Sequence, residues 1–325
     1  MTQENEPIPQ KEDELLNEAS AGQQEPAAAE QKQPASKSGR KVNRKKIVYF
    51  ALSAVFTVTF IISAAFLVQY FLESFRADSE YDDLAGIVES NRNQLDETEG
   101  TEAPDASDPT GSTESTDPTD ASDPTDATED PGPHILPEYA DIYELNNDLV
   151  GWIKIEGTSV NYPVMQTSVD NANYYLDHTF TGESSKWGCI YVREQCDVFA
   201  PSDNVTIYGH YKSDGTMFHD LHNLRKKAYW KEHRYIQFDT IYERHTYEII
   251  AVFKTSANYG QGFSYHIFDD AKDKADFNKF VDTVHSLQYF NTGVTAEYGD
   301  KLITLSTCEY TLDNGRLVVV AKRIS

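Results

Sequence analysis

One cysteine and one arginine near the end of the sequence are spaced for nucleophilic chemistry. The β-like run Leu302–Thr307 leads into Cys308, Asp313-Asn314-Gly315 predicts a turn, and Arg316 begins the returning strand. In an antiparallel pair the end of one strand and the start of the next lie at the same edge, so we expect Cys308 and Arg316 to be neighbours. A thiolate there could attack a carbonyl carbon, and a guanidinium could donate to the oxyanion that forms.

The strand face that carries the cysteine is polar. Alternation with a period of two places Thr304, Ser306 and Cys308 on one face and Ile303 and Leu305 on the other. A cysteine that serves only for packing is usually buried among aliphatic side chains. The pattern therefore indicates a chemical role for this thiol.

A histidine is the remaining component, because a thiol nucleophile needs a base or a cation beside it. His210 directly follows the β-like run Val205–Gly209, and the glycine permits a bend or a close backbone approach. His219 and His222, at i and i+3 on a predicted helix, would form half a metal site. No third ligand stands at a recognisable spacing, so we interpret them as solvated helix-face histidines and predict neither a metal nor another cofactor.

The region after Pro137 predicts a mainly β domain with helices. Eight short runs carry alternating or β-branched residues between turn signals, as in a closed barrel or a sandwich. These candidate strands are Val150–Ile155, Asn161–Val164, Cys189–Val192, Asn204–Tyr208, Tyr235–Asp239, Tyr247–Thr255, Leu302–Thr307 and Leu317–Lys322. Helical patterns occur at Glu138–Asn147, His219–His233 and Asp269–Leu287. Such a fold would suit an enzyme or an adhesive binding module equally well.

A single long apolar segment precedes this domain. Ile47–Leu72 is 26 residues without a charge. As a helix it would extend ~39 Å, enough to cross a hydrocarbon core of ~30 Å with some tilt. A buried core helix and a cleaved signal peptide are the alternatives, but the apolar region of a signal peptide is usually ~7–15 residues long. We therefore expect a retained anchor in the lipid bilayer.

The charges that flank this segment predict its orientation. Five basic residues lie within 40–46, whereas only Arg76 and Arg92 follow nearby. The positive-inside rule then leaves the N-terminus in the cytoplasm and the rest of the chain outside a cell membrane crossed once. The predicted organisation is a disordered cytoplasmic tail with a basic flank (1–46), a transmembrane anchor (47–72), an extracellular acidic spacer (73–133) and a folded domain (134–325).

The spacer carries much of the net charge of −25. Residues 96–130 contain 13 acidic and no basic residues, and the triplet DPT occurs three times. A segment of this kind buries too little apolar surface to fold and is extended by charge repulsion, so we expect it to hold the domain away from the membrane. Residues 73–95 could continue the anchor as a short exposed helix. Outside 37–46 the chain offers no basic patch, which argues against nucleic-acid binding.

Two separated motifs resemble one known family. Thr304–Arg323 (TLSTCEYTLDNGRLVVVAKR) is similar to the sortase signature, in which TLxTC is followed some residues later by an arginine. Ile207–His210 (IYGH), with Gly215–Phe218 (GTMF) downstream, resembles the sortase YGH block. The segment Asp148–Ile155 (DLVGWIKI), Tyr162–Val164, Tyr174–Leu176 and the helix at 269–287 resemble class B sortases in particular. The resemblance covers about residues 138–325.

This resemblance implies a sortase fold, an eight-stranded closed β-barrel with a helix before the catalytic strand. It also implies a cysteine transpeptidase that cleaves a C-terminal sorting signal of a surface protein and joins it to an amine of the cell wall, on a peptidoglycan precursor or cross-bridge. The family roles fall on Cys308 as nucleophile, His210 as acid and base, and Arg316 as oxyanion donor.

Four further residues are candidates for the substrate groove. Ser306, Glu309 and Tyr310 flank the nucleophile, although they could equally be ordinary polar residues at a strand end. Tyr211 stands where many class B sortases have Asn after the histidine, a departure that would alter the groove beside the base.

Several alternatives stay open at this point. One is a pilin-polymerising sortase that uses a Lys amine as acceptor; wall anchoring is preferred because such enzymes often carry a second, C-terminal anchor, whereas this sequence ends at Ser325, directly after the last predicted strand. The other is a tethered surface-binding module in which Cys308 is structural. Cys189 and Cys196 could form a disulfide after export, or each could be a small buried hydrophobic residue.

Overall fold

The computed structural model describes residues 44–99 and 133–325, and the predicted tail before residue 44 and most of the acidic spacer lie outside these ranges. The chain divides into two units between Phe60 and Ile61. The described part of the first unit is helical, and all β-strands among the described residues lie in the second unit.

Eight strands form a closed barrel, which confirms the predicted fold class. Their bounds are β1 Leu149–Lys154, β2 Asn161–Met165, β3 Ile190–Val192, β4 Asn204–Tyr208, β5 Tyr235–Thr240, β6 Thr246–Ser256, β7 Leu302–Glu309 and β8 Gly315–Arg323. Around the barrel the order is β1-β2-β3-β4-β7-β8-β6-β5. The pairs β2–β3 and β4–β7 are parallel, and all other neighbours are antiparallel. All eight sequence-predicted strands are present, with ends that shift by at most two residues.

In the part of the chain that the structure describes, four α-helices accompany the barrel. They are α1 Arg44–Glu99, α2 Pro137–Leu145, α3 Lys227–Glu232 and α4 Lys274–Leu287. The stretch predicted as one helix over His219–His233 is split, because Lys226 has extended backbone between a 3₁₀ helix, His219–Arg225, and α3. The helix predicted from Asp269 begins only at Lys274, since the Asp273 side chain caps it by accepting the Asp276 N–H at 2.9 Å.

The barrel is packed on the inside and, around β8, also on the outside. Ile303 and Leu305 of β7 face the interior together with Val319 of β8, in one continuous core. The alternate residues Val318 and Val320 pack outside, in a second cluster with the apolar face of α4. Because β8 is covered on both faces, its sequence is apolar at consecutive positions.

Part of α1 belongs to the core of the barrel unit, which corrects the expectation of an exposed helix over 73–95. Ala77, Tyr81, Leu84 and Val88 recur at intervals of four, three and four residues, and all four are buried in the same core as the barrel interior. The Tyr81 hydroxyl donates to the Gly188 carbonyl oxygen at 2.5 Å. The first part of the predicted spacer is therefore a packed helix and not a linker.

A polar network holds the far end of this packed helix. Arg92 of α1 donates to Asp239 Oδ2 of β5 at 2.8 Å and lies 3.6 Å from Glu138 Oε1 of α2. Glu138 is fully buried and also accepts from Arg244. Since burial of an unpaired carboxylate is costly, these two arginines stabilise α2 and α1 against the barrel together.

Loss of the apolar contact at Leu84 should destabilise the whole barrel unit. For Leu84→Ala we expect a loss of about 2–5 kcal/mol in the free energy of unfolding, because the side chain is 4% exposed and its removal leaves a cavity. Denaturant unfolding of the purified chain in detergent measures this. Glu89→Ala, on the exposed side of the same helix, is the matched control. Equal stabilities of the two variants would show that α1 does not contribute to the core.

Candidate active site

The β7–β8 hairpin places Cys308 beside Arg316. Cys308 and Arg316 are Cα partners in the antiparallel ladder, and both side chains are partly exposed. The turn is tighter than predicted, because β7 continues to Glu309 and β8 begins at Gly315. A Cβ atom at Gly315 would lie 2.2 Å from the Glu309 carbonyl oxygen, so this close crossing requires glycine. The nucleophile and the guanidinium therefore lie on a rigid part of the sheet.

The parallel pairing of β4 with β7 brings His210 to the same edge. Tyr208 is the register partner of Ser306, and the Gly209 N–H donates to the Ser306 carbonyl oxygen at 3.1 Å. His210, two residues past the end of β4, and the end of β7 consequently lie side by side. A Cβ atom at Gly209 would approach Ile190 and Phe218 within 2.5 Å, so glycine is required directly before the histidine. His210 Nε2 lies 2.7 Å from the Leu176 carbonyl oxygen, which assigns the proton to Nε2 in this arrangement.

These three side chains share one cleft of about 210 Å³. Its walls come from the 3₁₀ helix Tyr174–Leu176 and the residue before it, from β3 and the end of β4, and from the β7–β8 hairpin. The lining residues are Asn173, Leu176, Tyr191, Tyr208, Gly209, His210, Ser306, Thr307, Cys308 and Arg316. Thr307 Oγ1 is buried and has no hydrogen-bond partner among the described residues, so the cleft contains an unused hydroxyl group.

The cleft wall includes residues that sequence reasoning missed. Tyr191 donates to Asn173 Oδ1 at 3.1 Å, and Asn173 has a left-handed backbone with φ of 60°. Asn173 and Leu176 carry no chemical signature in the sequence, because only the packing of their loop brings them to the cleft. Tyr208 is the exception, since it precedes the Gly-His pair and could have been found.

The four predicted groove residues have different surroundings. Ser306 lines the cleft but is buried, with Oγ at 2.5 Å from the Tyr265 hydroxyl. Glu309 is buried outside the cleft; although burial opposes ionisation, hydrogen bonds from Thr311 hold the pKa of the Glu309 carboxyl below its usual value. Tyr310 is 73% exposed, and Tyr310 and Tyr211 also lie outside the cleft.

Tyr211 is the centre of a ring cluster behind the nucleophile. Its ring centroid lies 4.9 Å from that of His219, 4.4 Å from His222 and 5.7 Å from Tyr310. His222 Nε2 is 2.9 Å from the Cys308 carbonyl oxygen, and burial lowers the pKa of this imidazole. His219 and His222 are therefore partly buried, each against the Tyr211 ring, and not fully solvated as expected. Within residues 44–99 and 133–325, no group of three His, Cys, Asp or Glu side chains could hold a metal ion.

The other two cysteines are free thiols. Both are buried, Cys189 against the Tyr81 hydroxyl at 3.2 Å and Cys196 at 3.4 Å from Asp269 Oδ1. Burial raises the pKa of Cys196 to about 12 and that of Cys189 further still. Neither thiol is available as a thiolate at neutral pH, which leaves the partly exposed Cys308 as the reactive candidate.

The loop that follows His210 is held from α1. The Lys212 ammonium is fully buried, 2.7 Å from Asp78 Oδ1 of α1 and 3.2 Å from Asp214 Oδ2. Further along, the Tyr162 hydroxyl accepts the Met217 N–H at 2.8 Å, and its ring contacts that of Tyr81 edge-on at 5.5 Å. A residue before the acidic segment thus supports the loop that starts at the candidate base. No motif in the sequence signals this contact, because its partners are 134 residues apart.

The arrangement suits acyl transfer. A thiol, an imidazole and a guanidinium converge in a cleft walled by tyrosines, which provides a nucleophile, an acid–base group and an anion donor. The three residues come from different positions along the chain, and strand pairing in the closed barrel brings them into one cleft.

Comparison with known proteins agrees with this chemistry. Residues 153–324 match the sortase domain family. The chain is similar to sortase B of Staphylococcus aureus, with 32% identity over 193 residues, covering 59% of this chain and 76% of that protein. It is also similar to sortase B of Listeria monocytogenes, with 31% identity over 190 residues, covering 58% of this chain and 74% of that protein.

A solved structure shows the same architecture. A Staphylococcus aureus sortase B–substrate complex superposes with a TM-score of 0.60 and 26% identity, covering 78% of this chain and 99% of that chain.

Removal of the Asp78 carboxylate should destabilise the loop after His210. In Asp78→Ala the buried Lys212 ammonium keeps only Asp214, so we expect a loss of about 1–3 kcal/mol in the free energy of unfolding. The double variant Asp78→Ala/Lys212→Met removes the buried charge itself and should recover part of that loss.

Melting of the two variants beside Asp83→Ala, an exposed carboxylate on the same helix, measures the effect. If the double variant melted below the single one, the ion pair would not be the source of the loss.

Proposed function

Since this chain belongs to the sortase family, as a class B cysteine transpeptidase that acts on surface proteins, we propose that Cys308, His210 and Arg316 are its catalytic residues and that it works from a membrane anchor. The observation that carries the proposal is the single cleft lined by all three side chains. The register of β7 against β8 also supports the proposal, because it makes Cys308 and Arg316 Cα partners.

Acylation begins at the thiol. The Cys308 thiol passes its proton to His210, and Sγ attacks the carbonyl carbon of the sorting-motif residue, Thr in the family pattern. A carbon–sulfur bond forms as the carbonyl becomes an oxyanion. Arg316 donates to that oxyanion and stabilises it. His210 gives its proton to the leaving amine, so the peptide bond breaks and a thioester remains on Cys308.

Transfer reverses the proton movements. An amine of the cell wall attacks the thioester carbon, and His210 takes the proton from that amine. The oxyanion again receives hydrogen bonds from Arg316, and collapse of the intermediate releases Cys308 as a thiolate, to which His210 returns the proton. The product is an amide between the surface protein and the wall. Cys308 and His210 supply and take up every proton that these steps need.

The apolar half of α1 supports the anchor. Among the described residues, one helical stretch is long and apolar enough to cross a membrane. It is the part Arg44–Leu95 of α1, whose most apolar window has a mean hydropathy of 2.3. The basic residues before it and the positive-inside rule favour a cytoplasmic N-terminus, with the barrel outside the cell. The anchor would bind the bilayer through residues 47–72, and the surface proteins and the wall amine would be reached outside.

Substitution of the three catalytic residues should give three different defects. Cys308→Ala should form neither acyl-enzyme nor product. Arg316→Lys keeps a charge but loses the planar fork, and the loss of an oxyanion donor costs about 10²–10³ in rate. His210→Ala should cost about 10²–10⁴. Single-turnover cleavage of sorting peptides, with mass spectrometry of the acyl-enzyme, measures all three.

His285→Ala is the matched control for the histidine variant, because His285 lies on α4 and bonds Thr295 outside the cleft. It should cleave at the wild-type rate. Turnover by Cys308→Ala, or an equal loss in His285→Ala and His210→Ala, would contradict the assignment.

Topology has its own test. With a specific protease site inserted in the acidic stretch 100–132, protease added to intact protoplasts should cut the chain without lysis. Because Leu84 and Arg92 hold the barrel to α1, the barrel fragment should stay with the membrane after the cut and leave it only in denaturant. Protection of the site until lysis would place the barrel in the cytoplasm and overturn the orientation.

A further inference from the structure

A loop of the barrel reaches back to the end of the apolar segment of α1. Trp187, in the loop before β3, contacts the ring of Tyr70 edge-on with centroids 5.5 Å apart. The Lys186 ammonium lies 3.7 Å from the centroid of the same ring and 3.6 Å from Glu73 Oε2. Tyr70 is part of the uncharged stretch Ile47–Leu72. The barrel therefore touches a residue of the apolar segment itself.

Barrel packing also starts immediately after this segment. Ala77 is the first residue of α1 in the barrel core, five positions beyond Leu72. Five residues of helix advance only about 8 Å. The barrel consequently begins about one and a half helical turns past the last apolar residue.

The acidic segment, residues 96–130, cannot separate the apolar segment of α1 from the barrel, which corrects its expected role as a spacer. Residues 96–130 follow the packed part of α1 in the sequence, so they connect α1 to α2 after the barrel is already attached. A long segment in that position leaves the distance between the apolar residues and the barrel unchanged.

The residue types at this junction are those of a membrane–water boundary. Tryptophan and tyrosine concentrate at the headgroup level, and a lysine places its ammonium in the polar layer while its stem lies along apolar surface. Tyr70, Lys186 and Trp187 provide one of each. Beside them Phe71 is 53% exposed and Phe75 is 74% exposed, so apolar rings extend along the helix past the uncharged stretch.

We propose that Tyr70, Phe71, Lys186 and Trp187 form a membrane-seating surface, which lies in the headgroup layer of the bilayer and holds the catalytic barrel directly on the membrane. The proposal rests on the membrane span of the proposed function. If that span ends near Leu72, Tyr70 lies in its last turn, and Trp187, in contact with it, lies at the same depth.

Aromatic insertion is the main contribution, and attraction to anionic lipid is a minor one. Lys186 is already neutralised by Glu73, and Asp78 and Asp214 neutralise Lys212, whose ammonium lies 4.7 Å from the centroid of the Trp187 ring. The occupant of this surface is therefore the interfacial layer of an ordinary zwitterionic phospholipid bilayer.

Fluorescence quenching by brominated lipid tests the membrane-seating surface in the full chain. The sequence has three tryptophans, of which Trp152 and Trp230 are 2% and 3% exposed. With the protein in phosphatidylcholine vesicles, lipids brominated near the top of the acyl chain should quench Trp187 more than lipids brominated near the chain end. The quenched component should be missing in Trp187→Phe.

A matched control places a tryptophan at the other end of the packed helix. Arg92, which bonds Asp239, lies 22 residues from Tyr70, or about 33 Å along α1. Tyr242 lies three residues after Asp239 and so marks this far end of the helix. In the double variant Trp187→Phe/Tyr242→Trp, the new tryptophan should fluoresce without being quenched by the brominated lipids. Equal quenching at both positions would show that the barrel has no preferred face toward the bilayer and would overturn the proposal.

Flotation of the same vesicles after alkaline extraction distinguishes loss of the membrane anchor from loss of the membrane-seating surface. A chain that floats with the lipid but has unquenched Trp187 is anchored without being seated, which overturns this proposal and leaves the proposed function intact. A chain that does not float lacks the span, which overturns both the anchor and the seat. Anionic vesicles should give the same quenching as zwitterionic ones; quenching that requires anionic lipid would contradict the aromatic basis.

Discussion

The parallel pairing of β4 with β7 is the constraint on which the site depends. β7 lies between β4 and β8, so one strand aligns His210 on one side and Arg316 on the other with Cys308. A parallel neighbour must return by a long crossover, and here almost a hundred residues separate β4 from β7. Those residues supply β5, β6 and α4, which close the barrel and cover β7 from outside. Closure of the barrel and assembly of the site are the same event.

Covering β7 on both faces has a polar consequence. Thr304 and Ser306 lie on the outer face of the strand but are buried, so their hydroxyls need partners. Thr304 donates to Asn204 Oδ1 at 2.7 Å, and Ser306 pairs with Tyr265. These bonds fix the strand that carries Cys308, and they leave the cysteine as the first residue of that face that solvent and substrate can reach.

The helix α1 contains both the apolar segment and residues that pack against the barrel, which the sequence analysis had assigned to separate parts of the chain. Its N-terminal part is uncharged over 26 residues, and its later part carries an apolar stripe that completes the barrel core and an aspartate that pairs with Lys212. Support of the loop after His210 therefore comes from the same helix that would hold the protein in the membrane. The acidic segment is a connection between α1 and α2.

Alternation and a tight hairpin turn are local signals, so every strand of the barrel and the adjacency of Cys308 and Arg316 could be predicted from the residues alone. The sequence placed Glu309 and Tyr310 near the nucleophile but could not say that β7 runs on to Glu309, which turns that side chain away from the face of Cys308. Three features could not be predicted and are seen only in the folded chain: the cleft walls from Asn173 and Leu176, the ring cluster around Tyr211 and the packing of α1. These contacts depend on which surfaces the closed barrel leaves uncovered, and that is a property of distant segments meeting and not of any one stretch of residues.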